Sequence, residues 1–258
     1  IHVLIDKVPI NVICMEKCEN TLDHLLENDI LTIEQLECCL FQVIMILITY
    51  QKIFHFTHND LHTNNIMYVE TNKPYLYYCY DKKYYKVPSG GRIFKIIDFG
   101  RAIYKVNNTI YSSDSFFKDG DAATQYNTEP FLNDNKPRLD PNYSFDLCRL
   151  AVSMFDFIID EDLDNIETLK TIPIYKVIID WCMDDKNRNI LYKNNGEERY
   201  PDFKLYKMIA RTVHNNIPEE QLVKEPFNKY RIAKKKIDKK PIQNIDQLIN
   251  DFNPKLNV

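Results

Sequence analysis

Two polar motifs, each abutting a short apolar run, constrain this chain more than any other feature. His58-Asn59-Asp60-Leu61-His62-Thr63-Asn64-Asn65 leads into Ile66–Val69, and Arg92–Ile97 leads into Asp98-Phe99-Gly100. Short runs rich in β-branched and aromatic residues, bounded by polar residues and glycine, predict strands. A fold that contains both must set one polar loop before a strand and the other after one. Asp60 and Asp98 stand 38 positions apart. The interval holds Tyr75, Tyr77, Tyr78, Tyr80, Tyr84 and Tyr85, which predict a hairpin arm, and then a turn at Ser89-Gly90-Gly91.

The rest of the chain reads as mostly helical. Ile1–Ile5 and Ile10–Met15 are apolar runs around Lys7-Val8-Pro9 and predict two strands. A short helix is predicted over Thr21–Leu26, capped by Asn20 or Thr21. A longer one opens at Thr32 and runs to about Ile53, with Leu36, Leu40, Val43, Leu47 and Tyr50 at helical spacing and burial on most sides. Residues 105–142 are polar, contain Pro130, Pro137 and Pro141, and predict an extended loop region. Helices follow at Tyr143–Ile159, Ile174–Met183 and Phe203–His214. A Lys-rich tail from Tyr230 ends in an amphipathic piece, Ile245–Phe252. The order predicts an α+β chain, a mainly helical body carrying a few hairpins.

Composition narrows the function classes. Hydrophobic residues make up 45% of the 258, too many for a disordered chain, and charged residues make up 27%. The net charge of −4 gives no global basic field to attract nucleic acid. Seven cysteines, with no CxxC pair, read as free thiols in a reducing compartment and not as a disulfide framework or zinc cluster. The N-terminus has no basic segment of the signal-peptide kind. The longest apolar run, Cys38–Ile48, is interrupted by Gln42 and suits a buried helix better than a membrane span. An intracellular protein, cytoplasmic or nuclear, is expected. The chain opens on Ile1 and not on Met, so a fragment of a longer protein is also expected.

The motif pair gives the chain a resemblance to the protein-kinase superfamily. His58 to Asn65 matches H-x-D-L-x-x-x-N, and Asp98-Phe99-Gly100 matches D-F-G. The resemblance implies a kinase-like fold with Asp60 as the catalytic base, His58 as a scaffold of the catalytic loop, and Asn65 and Asp98 as ligands of Mg2+, Asp98 bridging it to ATP. A carboxylate can orient a hydroxyl and take its proton, and magnesium prefers oxygen ligands. Asn11 to Leu22 looks like the last small-lobe strand and the hinge. By that match Met15 is the gatekeeper, the backbone of Glu16 and Cys18 contacts adenine, and Met67 lies under the ring. Asp146 would brace the catalytic loop, and Trp181 to Arg188 looks like the late segment that ends in a structural arginine. The implied division is a small-lobe remnant and hinge at 1–18, a C-lobe at 19–215 and an extension at 216–258.

The departures leave the acceptor open. No Gly-rich loop or V-A-I-K strand is present, so weak ATP·Mg binding by these residues alone is expected. Asn59 stands where many kinases carry an arginine that answers a loop phosphate, which argues against switching by phosphorylation. The D-L-H form is similar to haspin-type kinases and also to aminoglycoside and choline phosphotransferases, and no clear A-P-E is present. The Asn, Lys, Ile and Tyr bias and the long hairpin look like divergent kinases of large DNA viruses. A Ser/Thr kinase with a protein substrate leads. A small-molecule phosphotransferase and a partner-binding pseudokinase are the alternatives. Nucleotide is an expected partner, and membrane and nucleic acid are not.

Overall fold

The computed structural model describes residues 7, 8, 10, 12–159, 166–234, 237 and 242–256. Helix α2 (Ile33–Phe54) is the spine. Thr32 caps it, accepting from the Gln35 amide while the Gln35 side chain accepts from the Thr32 amide. It ends at His55, whose φ of 48° breaks the helix in the left-handed region. By length and composition α2 could cross a bilayer, which its reading as an eleven-residue apolar run did not allow for. Here 67% of its most apolar window is buried inside the protein. The polar residue that interrupts the run has a structural task. The Gln42 carboxamide accepts from the Phe94 amide at 3.0 Å and donates to the Arg92 carbonyl at 3.3 Å. It thereby satisfies the open edge of a strand.

That strand is β5 (Arg92–Ile96), in a three-stranded antiparallel sheet of order β1-β2-β5 with β1 (Asn20–Thr21) and β2 (Ile66–Glu70). Helix α1 (Leu22–Glu27) follows β1 directly, with Thr21 as its cap. The tyrosine arm forms β3 (Tyr75–Tyr80) and β4 (Lys83–Pro88). Asp81 and Lys82, at φ 50° and 56°, make the turn, whose positive φ values match strand twist. One face of the arm is core: Tyr78 and Tyr85 pack on Phe41 of α2, together with Phe227 and Tyr230.

The predicted strand Ile1–Ile5 lies outside the described residues. Val12–Met15, from the second predicted strand, form none, and Val12, Ile13 and Met15 are exposed. No described strand pairs with them, and a lone strand leaves its peptide groups unpaired. The segment predicted as loop from 105 contains part of a hairpin, β6 (Ile103–Val106) and β7 (Thr109–Ser112). Its turn is Asn107-Asn108 at φ 50° and 60°; asparagine tolerates that conformation, though glycine is the usual signal for it.

Helices α3 (Phe145–Ile159), α4 (Ile166–Leu169), α5 (Pro173–Trp181) and α6 (Lys204–Thr212) complete the helical body. Then α7 (Pro218–Gln221) lies on α2, β8 (Arg231–Ile232) pairs with β4, and β9 (Gln243–Asn244) pairs with β3. Helix α8 (Ile245–Leu256) closes over α2 and β3. Its Asp246 accepts from the amides of Asp81 and Lys82, tying the turn of the arm to the helix start. All seven thiols are free, and five are buried. The whole is a mixed α+β fold with small sheets.

Candidate active site

The His58–Asn65 segment leaves α2 as a loop and is held from three sides. Thr57 bridges Ile103, with both peptide hydrogen bonds at 2.9 Å. From beneath, the buried carboxylate of Asp146, in the first turn of α3, accepts from the amides of His58 and Asn59, each at 2.9 Å. Burial pushes the Asp146 carboxyl above its ordinary range, while His58 and the two amides favour its charged form. The third tie is the His58 ring. Its Nε2 lies 2.9 Å from the Ile97 carbonyl, and its Nδ1 is 3.3 Å from the Asp60 amide. Since a carbonyl only accepts and an amide only donates, the Nε2–H tautomer satisfies both. The His58 ring thus links the Asp60 amide to the Ile97 carbonyl, which lies between β5 and Asp98.

Asn65 points its amide nitrogen at the Asp60 carbonyl, 2.9 Å away, and at His62 Nε2, 3.2 Å away. Its Oδ1 accepts from no described residue. The Ile97 amide donates to the Asn65 carbonyl at 3.0 Å, continuing the β2–β5 ladder up to the residue before Asp98. Asp98 is exposed and left-handed at φ 61°, and its Oδ1 accepts from the Gly100 amide at 3.2 Å. A Cβ on residue 100 would meet that oxygen at 3.1 Å, so glycine suits the turn. Phe99 packs its ring on His58, Phe56 and Tyr50. Burial and the nearby Arg149 hold His62 below its ordinary range.

Asp60 is partly open, with 24% of its side chain exposed. Its Oδ1 accepts from the Tyr206 phenol at 2.7 Å, and its Oδ2 lies 3.7 Å from Arg101. Tyr206 also accepts from Arg149 Nε at 2.8 Å and stacks on Phe203, with Arg101 over both rings. Burial, together with the bond to Asp60, raises the phenol's pKa, and Arg149 opposes the shift. Sequence reasoning missed Tyr206, Arg101 and Arg149. Arg101 directly follows the Gly100 motif and could have been flagged by position, but nothing local marks a tyrosine on a helix 146 positions away.

Asn59 is fully buried at φ 65°. Its Nδ2 donates to Thr57 and to the Arg101 carbonyl, and its Oδ1 accepts from Tyr126 at 2.7 Å. A neutral hydrogen bond therefore anchors the segment after Gly100.

The residues that the resemblance assigns to a hinge are only partly gathered. Glu16 pairs with Lys95 on β5, next to Met67 on β2. Cys18 is half-buried, its thiol 4.0 Å from the Glu16 carbonyl, and Met15 is exposed. Late in the chain, the buried Asp184 carboxylate takes two hydrogen bonds from the Arg188 guanidinium, at 2.9 and 2.7 Å. Among the described residues, no three of His, Cys, Asp and Glu gather as a metal site. No protein-family model matches the chain, and no curated protein matches it.

Proposed function

We propose that this chain is an ATP-dependent phosphotransferase with a kinase-like fold, transferring the terminal phosphoryl group to a serine or threonine hydroxyl of a protein. One observation carries the reading. Asp146 accepts from both amides at the head of the Asp60 loop, while His58 joins that loop to the strand before Asp98. The two carboxylates, Asp60 and Asp98, are thereby tied to one another through His58, which supports the reading because phosphoryl transfer asks mainly for positioning and charge neutralisation.

In this reading Asp60 orients the acceptor hydroxyl and takes its proton as the oxygen attacks the terminal phosphorus, the bond to the bridging oxygen breaks and ADP leaves. Arg101, near the same carboxylate, balances its charge. Asn65 Oδ1 and the Asp98 carboxylate offer one neutral and one charged oxygen, a donor set that would suit Mg2+. When bound, the ion would neutralise charge on the phosphates. The adenine contacts of Met15, Glu16, Cys18 and Met67 rest on the resemblance. The free thiols are in keeping with an intracellular, cytoplasmic or nuclear site of action.

A second reading, a small-molecule phosphotransferase, is favoured by the Tyr206 phenol and Phe203 ring beside Asp60, since a partly covered base suits a small acceptor. The test is ATP-dependent phosphate transfer by the full-length protein to a panel of proteins, amino alcohols and aminoglycosides. Protein labelling that Asp60→Ala abolishes supports the first reading. Labelling of an amino alcohol alone supports the second, and labelling unchanged in Asp60→Ala removes Asp60 as the base.

A further inference from the structure

A cavity of about 630 Å3 opens between the segment after Gly100 and helix α6. Tyr126 ties it to the site: the residue lines the cavity while its phenol bonds Asn59, the neighbour of Asp60. The walls carry Lys118, Lys136, Arg138 and Arg211 and no carboxylate. Arg138 is already answered by Glu129 and Asp140. Lys118 and Lys136 have no carboxylate within ion-pair distance among the described residues. The Arg211 guanidinium donates only to carbonyls, those of Lys207 at 2.6 Å and Thr124 at 2.7 Å. Three residues that line one concave space thus carry positive charge with no ion-pair partner among the described residues, in a chain whose net charge is −4.

The wall is built and not slack. Asn127 pairs with Leu139 through both peptide groups, and its side chain donates to the carbonyls of Asn133, Lys136 and Pro137. Phe117 and Phe131 meet edge to face at 5.7 Å and supply an apolar surface. A pre-formed pocket with convergent cations and some apolar wall recognises an anionic group on a partly apolar carrier.

We propose that this cavity binds an acidic segment of the polypeptide substrate, flanking the acceptor residue, through Lys118, Lys136 and Arg211. The inference rests on the protein-kinase reading for the acceptor, but the binding of the acidic segment is separable from it. An extended peptide advances about 3.3 Å per residue, so side chains on either side of an acceptor at Asp60 can reach neighbouring pockets. A nucleic acid is less well suited, because the cations cluster in one concavity and do not track a backbone.

The test uses the full-length protein and two serine peptides, one with Asp and Glu flanking the serine and one with Asn and Gln in their place. The wild type is expected to prefer the acidic peptide about tenfold in kcat/KM, and Lys118→Glu/Lys136→Glu to remove that preference. A fluorescent acidic peptide with alanine for serine reads binding without transfer. It should bind the wild type with salt-sensitive affinity and bind the double variant about tenfold more weakly. Transfer with no preference for acidic flanks overturns the inference and leaves the kinase reading standing. Absence of transfer, with the alanine peptide still bound by the wild type and lost by the variant, supports the inference and removes the kinase reading. Equal binding by both proteins, or capture of a single-stranded oligonucleotide but not of the peptide, overturns it.

Discussion

The phenol of Tyr206 donates a 2.7 Å hydrogen bond to Oδ1 of Asp60. The two residues meet because α6 packs against α3, the helix that also supplies Asp146. In the phosphotransfer reading this oxygen is where an acceptor hydroxyl would bind, so the phenol competes with substrate. Tyr206→Phe keeps the ring stacked on Phe203 and is expected to raise kcat/KM for the acceptor by about tenfold, the worth of one hydrogen bond to a charged group. Steady-state kinetics checks this. A fall in kcat would mean that the phenol orients the carboxylate and does not compete for it.

Asp146→Ala removes the acceptor of two buried amides. The cost is expected at about 3 kcal/mol, because each orphaned donor loses its water without gaining a partner. Denaturant unfolding reads the loss, and phosphotransfer should fall with it under conditions where the variant stays folded. Asp146→Asn keeps one acceptor oxygen and should cost less.

Phosphorylation of the segment after Gly100 should not switch the protein. Asn59 carries no charge to meet a phosphate and is already bonded to Tyr126. Replacing Thr109, Ser112, Ser113 and Ser115 together by Ala should leave phosphotransfer within about twofold of wild type. Loss of activity in this variant would show that a hydroxyl there is needed.

The Asp184–Arg188 pair gives a pH dependence. Burial alone would raise the Asp184 carboxyl, but hydrogen bonds from Arg188 and the nearby amides outweigh it and hold the group below the usual carboxylate range. A carboxylate depressed in the folded state binds fewer protons there than in the unfolded chain. Its stabilisation is therefore complete above about pH 4 and is lost as pH falls through the lower folded value. Arg188→Ala should destabilise at neutral pH by about 2 kcal/mol and flatten the acid limb of a melting-temperature profile. An unchanged acid limb would assign that limb to other carboxylates.

Titration calorimetry of ATP and Mg2+ into these 258 residues should show weak binding or none. Val12, Ile13 and Met15 lie exposed, no Gly-rich loop stands over them among the described residues, and the nearby Lys95 is taken up by Glu16. Tight binding would mean that the described surface suffices for the nucleotide.

Some of this was settled by the sequence alone, wherever the signal is local. Thr32 marks the start of α2, and the β-prone tyrosine run from Tyr75 to Tyr85 marks a hairpin. His58, Asp60, Asn65 and Asp98 stand out in the sequence by motif spacing, while the pairing of β2 with β5 brings their two segments side by side. Tertiary structure decided the rest, since its determinants have no neighbours in sequence. The apolar residues Val12, Ile13 and Met15 read as a strand, yet a strand exists only where another supplies hydrogen bonds. Gln42 reads as a flaw in an apolar helix until the edge of β5 arrives beside it. Asn59 could be seen as a missing arginine, but not as the anchor of Tyr126. Tyr206 shows how far this goes: an unremarkable helix position becomes the partner of Asp60 only once α3 and α6 pack.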